Sequence, residues 1–254
     1  MKRYLSWSGG KDSTASIIIC YENGIHLDGI IMSEVMFDHS RNISGENPKH
    51  IDWVYNVAIP IIEKKFGYKV TVLRAKEDYV TLFHRVIKNS RKGNNGKIWG
   101  FALGGMCYCN NYLKVGVMKN WKKSLSEPYE DIVGIAKDEE KRLERLIGNH
   151  NARSVLAEYD ITEEMTYDIC RKYNLLSPLY EQRHRGGCWF CPNQSIYQFA
   201  QLVTQYPNLW QELENLDLVE NKVKNFFAYN KTLSQIKYQI DEILKEPEQI
   251  NMFD

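Results

Sequence analysis

The amino terminus constrains the fold more than any other part of this sequence. A short apolar strand there runs through Ser-Gly-Gly-Lys-Asp-Ser (residues 8–13) directly into the apolar helical stretch of residues 15–20. Glycines allow backbone N–H groups to close on an oxyanion, and the amino terminus of a helix adds partial positive charge. Lys11 adds a full positive charge. The segment therefore predicts a loop that binds an anion the size of pyrophosphate, and we call residues 8–13 the glycine loop.

The glycine loop is not a Walker A loop, which requires Gly-x4-Gly-Lys-[Ser/Thr]. The remaining alternative is a serine- and glycine-rich turn that merely caps the helix. On the binding interpretation, nucleotide contacts are predicted at Ser6, Ser8, Gly9, Gly10, Lys11, Asp12 and Ser13.

Composition excludes several classes of protein. With 254 residues, 43% hydrophobic and 26% charged, the chain has the composition of a globular protein with a full core. A net charge of +1 gives no general electrostatic reason to wrap nucleic acid or bind a membrane surface. No apolar run reaches about 18 residues. Met1-Lys2-Arg3 is followed at once by the predicted strand and the glycine loop, which leaves no room for a signal peptide. We therefore expect a cytoplasmic protein with no membrane partner.

Strand and helix patterns alternate over the first two-thirds of the chain. Predicted strands cover residues 27–36, 69–73, 131–135 and 154–156, and predicted helices cover residues 48–65, 79–87 and 137–147. Another helix opens at Thr162, and the pattern is helical from Ser195 onward. This order predicts an α/β fold with a parallel sheet flanked by helices, Rossmann-like, and a helical carboxy-terminal region. The predicted division is residues 1–160 for the nucleotide-binding domain and 161–254 for the helical region.

Four cysteines form a second candidate site. Cys107-x-Cys109 and Cys188-x-x-Cys191 each follow paired glycines, and together they complete a four-thiolate set for a [4Fe–4S] cluster or structural Zn²⁺. We favour the cluster, although buried or redox-active free cysteines are the alternative. Four protein ligands leave no coordination position open for a substrate, so the predicted role of the metal centre is structural or electronic. Cys20 and Cys170 lie in apolar helical patterns and are predicted core residues.

Ser-Gly-Gly-Lys-Asp-Ser resembles the PP-loop of the ATP-pyrophosphatase, or adenine nucleotide α-hydrolase, superfamily. Residues 36–38, 43–48, 111–114, 134–139 and 175–192 resemble its phosphoadenosine-phosphosulfate-reductase-like branch, including members from phages and Gram-positive bacteria. The resemblance covers roughly residues 1–205, and the loop is its specific part. It implies an adenine nucleotide α-hydrolase-like fold that binds ATP and Mg²⁺.

The resemblance also implies an activity. A substrate oxygen would attack the α-phosphate of ATP, release pyrophosphate and form an adenylate that a sulfur or nitrogen nucleophile displaces. Lys11 would stabilise the leaving pyrophosphate, and Asp12 would orient Lys11 or help to hold Mg²⁺. Asp38 ends the second strand and is predicted either to contact the nucleotide or to cap a loop. The expected outcome is sulfur insertion into a nucleobase or small metabolite, with a separate sulfur donor, so the chain is predicted to be a sulfurtransferase.

Two alternatives stay open. Sulfonucleotide reductases carry a nucleophilic cysteine near the carboxyl terminus, whereas this chain has none after Cys191. A divergent reductase would therefore need a thiol from a partner. The second alternative is a non-catalytic nucleotide-binding accessory protein.

Two further expectations concern single segments. Lys11 is expected to lie on a loop outside the core, so its replacement should spare the fold. The tail of residues 246–254 ends in Met252 and Phe253 and resembles peptides that dock on bacterial sliding clamps, although packing on the protein's own surface is the favoured interpretation.

Overall fold

The computed structural model describes residues 1–103, 107–148, 151–181 and 186–245. The strands of this part of the chain are β1 (Lys2–Trp7), β2 (Gly29–Glu34), β3 (Met36–Asp38), β4 (Ile43–Ser44), β5 (Val70–Arg74), β6 (Tyr129–Val133) and β7 (Ala152–Arg153). Its α-helices are α1 (Lys11–Glu22), α2 (Pro48–Trp53), α3 (Ile59–Ile61), α4 (Tyr79–Phe83), α5 (Gly116–Lys123), α6 (Glu140–Ile147), α7 (Val155–Glu158), α8 (Glu163–Lys172), α9 (Ile196–Gln205), α10 (Pro207–Asp217) and α11 (Leu233–Lys245).

These elements form two compact units. The first, which we call the sheet unit, comprises Met1–Glu34, Glu46–Arg74 and Lys114–Gly186, and the second, the aromatic unit, comprises Val35–Gly45, Ala75–Leu113 and Gly187–Asp254. This division differs from the predicted boundary near residue 160. Its reason is connectivity: the chain leaves the sheet unit after β2 and again after β5, so each unit is built from three segments.

The sheet unit contains a five-stranded sheet in the order β5-β2-β1-β6-β7, and every described strand pair in it is parallel. Helices flank this sheet, which confirms the predicted α/β class. Successive strands run from β1 to β2 and β5 on one side, and then from β6 to β7 on the other. The strand order therefore reverses between β1 and β6. In open parallel sheets, ligands bind beyond the carboxyl ends of the strands at such a switch point.

The middle of helix α1 is buried on every side, because residues 15–20 are apolar except Ser16, whose hydroxyl donates to the Asp12 carbonyl at 2.9 Å. Ala15, Ile17, Ile18 and Cys20 are each fully buried in the core of the sheet unit. Cys170 of α8 is also fully buried, and its thiol donates a hydrogen bond to the Lys11 carbonyl at 3.3 Å. Burial raises the pKa of both cysteine thiols to about 12. The prediction that Cys20 and Cys170 are core residues is confirmed.

The predicted helix of residues 48–65 is confirmed with an irregular course. Asn47 caps α2 by accepting N–H bonds from Lys49 and His50, and Pro48 occupies its first turn. π-Helical turns at Val54–Ala58 and Ile62–Phe66 alternate with α-helix, and Gly67 ends the segment with φ +74°.

The predicted strand at residues 154–156 is wrong. The strand is Ala152–Arg153, and the next residues form α7. Ser154 accepts a hydrogen bond from the Ala157 N–H at 3.3 Å, and a serine that caps in this way ends the extended backbone.

The aromatic unit has a separate core built around large rings. Phe37 of β3 packs on Trp189 with ring centroids 4.6 Å apart, and Phe190 stacks on Tyr79 at 4.1 Å. Helices α9, α10 and α11 complete this core with apolar faces that include Phe199, Trp210 and Ile236. The helical carboxy-terminal region is thus confirmed as far as Lys245. No helix of the described residues is long and apolar enough to cross a membrane.

Candidate functional site

The glycine loop lies at the carboxyl end of the central strand, β1. Gly9 has φ +72°, a conformation that side chains with a Cβ rarely adopt. A Cβ at Gly9 would lie 2.6 Å from the imidazole ring of His50 and 3.0 Å from Val54. Glycine is therefore required at this position both by the turn and by the close approach of α2.

The amino terminus of α1 carries no side-chain cap. Gly10 is the N-cap residue and has no side chain that could accept a hydrogen bond from the first turn. Ser13 instead donates its hydroxyl to the Gly10 carbonyl at 3.0 Å, and the Tyr180 hydroxyl accepts from the Lys11 N–H at 3.0 Å. No N-cap side chain offsets the partial positive charge of this helix end, and the acidic residue of its first turn, Asp12, is paired with Lys11.

A second glycine, Gly134, lies where the chain after β6 packs closely against the backbone of residues 12 and 13. A Cβ at Gly134, directly after β6, would lie 2.6 Å from the backbone nitrogen of Ser13 and 2.8 Å from the carbonyl carbon of Asp12. Backbone atoms cannot rotate away as a side chain can. Gly134 therefore allows the chain after β6 to pack against the start of α1.

Lys11 is not an exposed loop residue, and this corrects the prediction. It is the first residue of α1, with a side chain 2% exposed. Its ammonium group donates to the carboxylates of Asp12 at 2.7 Å and Glu163 at 2.9 Å, and lies 5.0 Å from the ring centroid of Tyr167. Burial acts against the charged amine, but these two carboxylates raise the pKa of Lys11 overall. The predicted contact between Lys11 and Asp12 is confirmed.

We expect Lys11→Ala to destabilise the fold, because it leaves the carboxylates of Asp12 and Glu163 facing each other without their shared cation. Glu163 is half exposed and can turn to water, so the expected loss is about 1–2 kcal/mol of unfolding free energy. Urea denaturation measures it, with Lys172→Ala on the exposed surface of α8 as the control. An unchanged unfolding free energy in Lys11→Ala would contradict the structural role.

His50 supports the glycine loop from α2. Its Nε2 lies 3.2 Å from the Ser8 carbonyl oxygen, and its Nδ1 lies 2.8 Å from the Ser177 hydroxyl. A carbonyl can only accept, so Nε2 carries the proton and Nδ1 accepts from Ser177. Burial lowers the pKa of His50, while the nearby carboxylate of Glu46 opposes that shift. The imidazole is therefore neutral at pH 7.

This burial predicts a pH dependence of stability. Because the pKa of His50 is lower in the folded than in the unfolded state, the unfolded chain binds the extra proton as pH falls below about 6.5. Stability should accordingly decrease from that pH downward. Urea titrations between pH 8 and pH 5 on wild type and His50→Gln isolate the effect, since the glutamine variant lacks the titrating group. Parallel profiles for the two proteins would rule out a contribution from His50.

A pocket of about 490 Å³ lies beside this loop in the sheet unit. Residues at the ends of β1 and β2 contribute Ser6, Ser8 and Ser33, and α5 with the π-helix before it (Asn110–Val115) contributes three lysines. The lining residues that the structure describes are Ser6, Trp7, Ser8, Ser33, Lys114, Val115, Met118, Lys119, Lys122, Tyr129, Asp131 and Asn151. The pocket thus combines apolar walls with positive charge next to the switch point between β1 and β6.

Lys122 and Asp131 form the polar end of this pocket. The two side chains are ion-paired, Ser6 donates its hydroxyl to Asp131 at 2.8 Å, and Lys122 donates to the Ser6 oxygen at 3.2 Å. Of the predicted nucleotide contacts, Ser6 and Ser8 line the pocket. Gly9 and Gly10 form the adjoining turn, Lys11, Asp12 and Ser13 begin α1, and none of these five is among the described lining residues.

Asp38 lies in the aromatic unit, where its carboxylate already has partners. It accepts hydrogen bonds from the Ser40 hydroxyl at 2.7 Å and from Nε of Arg41 at 2.7 Å, and Arg41 also binds Glu212. Burial would raise the pKa of Asp38, but these hydrogen bonds lower it to about 2. The structure therefore shows a loop-stabilising role, and nucleotide contact by Asp38 stays a prediction.

All four predicted cysteine ligands lie in the aromatic unit. Cys107 and Cys109 hydrogen-bond to each other, which lowers the pKa of Cys107 to about 6 and raises that of Cys109. The Cys188 thiol is close enough to add to the shift at Cys109. Among the described residues, no group of three or more His, Cys, Asp or Glu side chains is placed to hold a metal ion. The metal centre stays a prediction.

The Cys188–Cys191 turn is held in place by its own backbone. The Cys191 N–H donates to the Cys188 carbonyl at 3.0 Å, and the Gln194 amide donates to that carbonyl at 2.8 Å. Trp189 is fully buried in the aromatic core and donates from its indole to the Ser44 carbonyl at 2.9 Å. Trp189 therefore packs in the core. The other glycine pair of the predicted metal site, at residues 104–105, lies outside the described residues.

Sequence reasoning missed the groups that hold the loop from other elements. Glu163 was visible only as part of a helix start, His50 as one polar residue in an amphipathic helix, and Tyr180 as one residue of a segment with a family resemblance. No local pattern could reveal them, because each contacts the loop across more than 40 residues of chain.

The sliding-clamp prediction concerns residues 246–254, which lie outside the described part.

Comparisons with known proteins add a fold similarity. No family model matches the chain, and no curated protein matches it in sequence. The structure is similar to the U34-tRNA thiolase NcsA from Methanococcus maripaludis, solved with its [4Fe-4S] cluster. The two are 11% identical, the alignment covers 97% of this chain and 73% of that chain, and the TM-score is 0.42. This similarity is too low to transfer any residue role.

Proposed function

We propose that the sheet unit binds ATP in the 490 Å³ pocket and transfers its adenylyl group to an acceptor oxygen. The observation that carries the proposal is the position of this lysine-lined pocket, next to the start of α1, whose N-cap is a glycine, and next to the switch point of a parallel sheet. Helix amino termini and backbone N–H groups favour anions, and switch points are where such sheets bind ligands.

The three lysines of the lining supply the charge that Lys11 does not. Lys114, Lys119 and Lys122 contact the pocket, whereas the Lys11 ammonium is held by Asp12 and Glu163. We therefore assign the phosphates to these three lysines and to the loop amides, and assign Lys11 to positioning the loop. This is a change from the catalytic role that the sequence predicted for Lys11.

The reaction forms one bond and breaks one. The acceptor oxygen bonds to the α-phosphorus of ATP, and the bond from that phosphorus to the bridging oxygen of the β-phosphate breaks. Pyrophosphate leaves with the electron pair of the broken bond. Fixed cations lower the barrier because they stabilise the negative charge that develops on the leaving pyrophosphate. A sulfur or nitrogen nucleophile then displaces AMP from the activated acceptor.

Mg²⁺ would enter this site with the nucleotide, and its charge would add to that of the lysines. Mg²⁺ in proteins is held by one or two carboxylates together with substrate phosphates. Asp131 is the one carboxylate among the described lining residues and fits that requirement. The Asp12 carboxylate is engaged by Lys11 and by the Thr166 hydroxyl at 3.1 Å. Both carboxylates have partners, since Asp131 is paired with Lys122 and bonded to Ser6, but of the two only Asp131 lines the pocket. We therefore prefer Asp131 to Asp12 as the carboxylate for the ion.

The test is product analysis with ATP labelled in the α-phosphate. Incubation with transfer RNA, DNA and small carboxylic acids in separate reactions, each with sulfide or ammonia as the nucleophile, should yield AMP and pyrophosphate with one acceptor class. The analogue α,β-methylene-ATP should bind without being cleaved, because its bridging carbon cannot leave. Formation of ADP, or no binding of the analogue in calorimetry, would overturn the proposal. Binding of the analogue with no cleavage of ATP in any reaction would identify a nucleotide-binding accessory protein instead.

We also propose that Cys107, Cys109, Cys188 and Cys191 bind one metal centre, a [4Fe–4S] cluster in preference to Zn²⁺. The support is the chemistry of the donor set and its placement in one unit, with Cys107 and Cys109 in direct contact. A bound centre would join the two cysteine segments and stabilise the aromatic unit. Anaerobic purification followed by iron, sulfide and zinc analysis should find one of these centres, and Cys188→Ser should lower both metal content and melting temperature. A folded protein without iron or zinc would refute the metal centre.

A further inference from the structure

The aromatic unit contains a second pocket, of about 570 Å³, which the ATP chemistry does not use. Aromatic rings dominate its walls, and one exposed lysine stands among them. The lining is Ile87, Trp99, Phe101, Leu103, Tyr108, Pro192, Asn193, Val223, Lys224, Phe226, Phe227, Ala228, Tyr229 and Asn230. A site of this composition suits a flat aromatic ligand that also offers hydrogen-bonding edges to the two asparagine amides.

Two of these aromatic rings are partly exposed to solvent at the pocket. Phe226 is 40% exposed and Tyr229 is 53% exposed. Tyr229 also has φ +52° and Asn230 has φ +57°, in a turn closed by a hydrogen bond from the Lys231 N–H to the Ala228 carbonyl at 2.7 Å. Asparagine and glycine suit such a turn, whereas a bulky side chain at positive φ is strained. The Tyr229 hydroxyl donates a hydrogen bond to the Gln194 carbonyl, which holds this strained residue with its ring exposed beside the pocket.

Positive charge adjoins the pocket on the side of Ile87 and Trp99. Residues 85–97, which we call the basic segment, contain five basic and no acidic side chains. Arg85 of this segment stacks over Trp99 at 4.6 Å and Tyr112 at 4.9 Å, while Lys88 and Lys92 are exposed. An aromatic pocket next to exposed cations is the combination that binds single-stranded nucleic acid, because bases stack on rings while phosphates meet lysines.

We propose that this pocket takes one unstacked base of a single-stranded nucleic acid whose backbone runs along the basic segment. The base stacks on Tyr229 and Phe226, the amides of Asn193 and Asn230 meet its edge, and Lys224 meets an adjacent phosphate. Tyr108 lies between Cys107 and Cys109, and Pro192 follows Cys191, so the bound base lies next to both cysteine segments. The inference goes beyond ATP binding, and its test contains no ATP.

The test measures binding of labelled RNA and DNA strands of about ten nucleotides by fluorescence anisotropy, with AMP as competitor. Tyr229→Ala should raise the dissociation constant roughly 5- to 150-fold, as loss of one base–aromatic stack predicts. Tyr229→Phe, which keeps the ring, should restore binding. The matched control is Tyr238→Ala, an exposed tyrosine on α11 outside this pocket, which should leave binding unchanged.

A salt titration tests the basic segment. Replacing Lys88 and Lys92 with alanine should make the dependence of log binding constant on log salt shallower by about 1.4, or ~0.7 for each phosphate that is no longer neutralised. The double variant Lys141→Ala, Arg145→Ala on the exposed surface of α6 removes the same charge and should not change that slope. Preference for RNA or for DNA would identify the kind of strand. No binding of either strand, or strand binding no tighter than that of AMP, would overturn the proposal.

Discussion

Gly9→Ala should lower the free energy of unfolding by roughly 2–5 kcal/mol and weaken nucleotide binding. The left-handed backbone at φ +72° costs a residue with a Cβ about 1–2 kcal/mol. The new methyl group would also lie 2.6 Å from the His50 ring, and an overpacked site adds roughly 1–3 kcal/mol. Urea denaturation measures the first effect, and calorimetry with α,β-methylene-ATP measures the second.

The chain provides a matched control for this substitution. Gly67 has φ +74°, but a Cβ there would meet nothing within 4 Å. Gly67→Ala should therefore show the backbone cost without the steric one. In the double variant Gly9→Ala, His50→Ala the ring is gone, so the two changes together should cost less than the sum of the single variants. If Gly9→Ala cost no more than Gly67→Ala, the close packing of α2 against the loop would be refuted.

Lys122→Ala should reduce AMP formation about 100-fold or more, the usual result of removing one fixed group that stabilises transition-state charge. Lys122 lines the pocket and contacts Ser6 and Asp131, so its ammonium group is held in position for the phosphates. Steady-state measurement of kcat and KM for ATP tests this. The substitution should lower kcat more than it changes KM. The reason is that Lys122 would stabilise the negative charge of pyrophosphate, which increases as the bond to the α-phosphorus breaks.

The neighbouring lysine is the control for this second prediction. Lys123 lies on the same helix and is exposed, so Lys123→Ala should retain the activity of wild type. Lys122→Ala also leaves Asp131 without its ion pair. The double variant Lys122→Ala, Asp131→Asn removes that unpaired charge and should restore stability but not activity. Equal loss of activity in Lys122→Ala and Lys123→Ala would exclude a specific role for Lys122.

The sequence by itself determined the elements whose signals are local. The glycine loop, the parallel α/β alternation, the helix that begins at Pro48 and the burial of Cys20 and Cys170 all follow from neighbouring residues. Hydrophobic runs, helix caps and glycines act within a few residues, so one segment contains the whole signal. The strand predicted at residues 154–156 is wrong for an equally local reason: the helix cap at Ser154 outweighed the β-propensity of Val155.

Tertiary structure alone decided which side chains meet. Lys11 is the first residue after two glycines and was expected to be free for phosphate, yet Glu163 binds its ammonium group across 152 residues. The pocket lysines before and on α5 came together with Ser6 and Asp131 in the same way, through the pairing of β1 with β6. The division into two units, each built from three chain segments, is likewise a result of long-range packing. Contacts between distant segments depend on how helices and strands stack, and one sequence carries no local pattern for that.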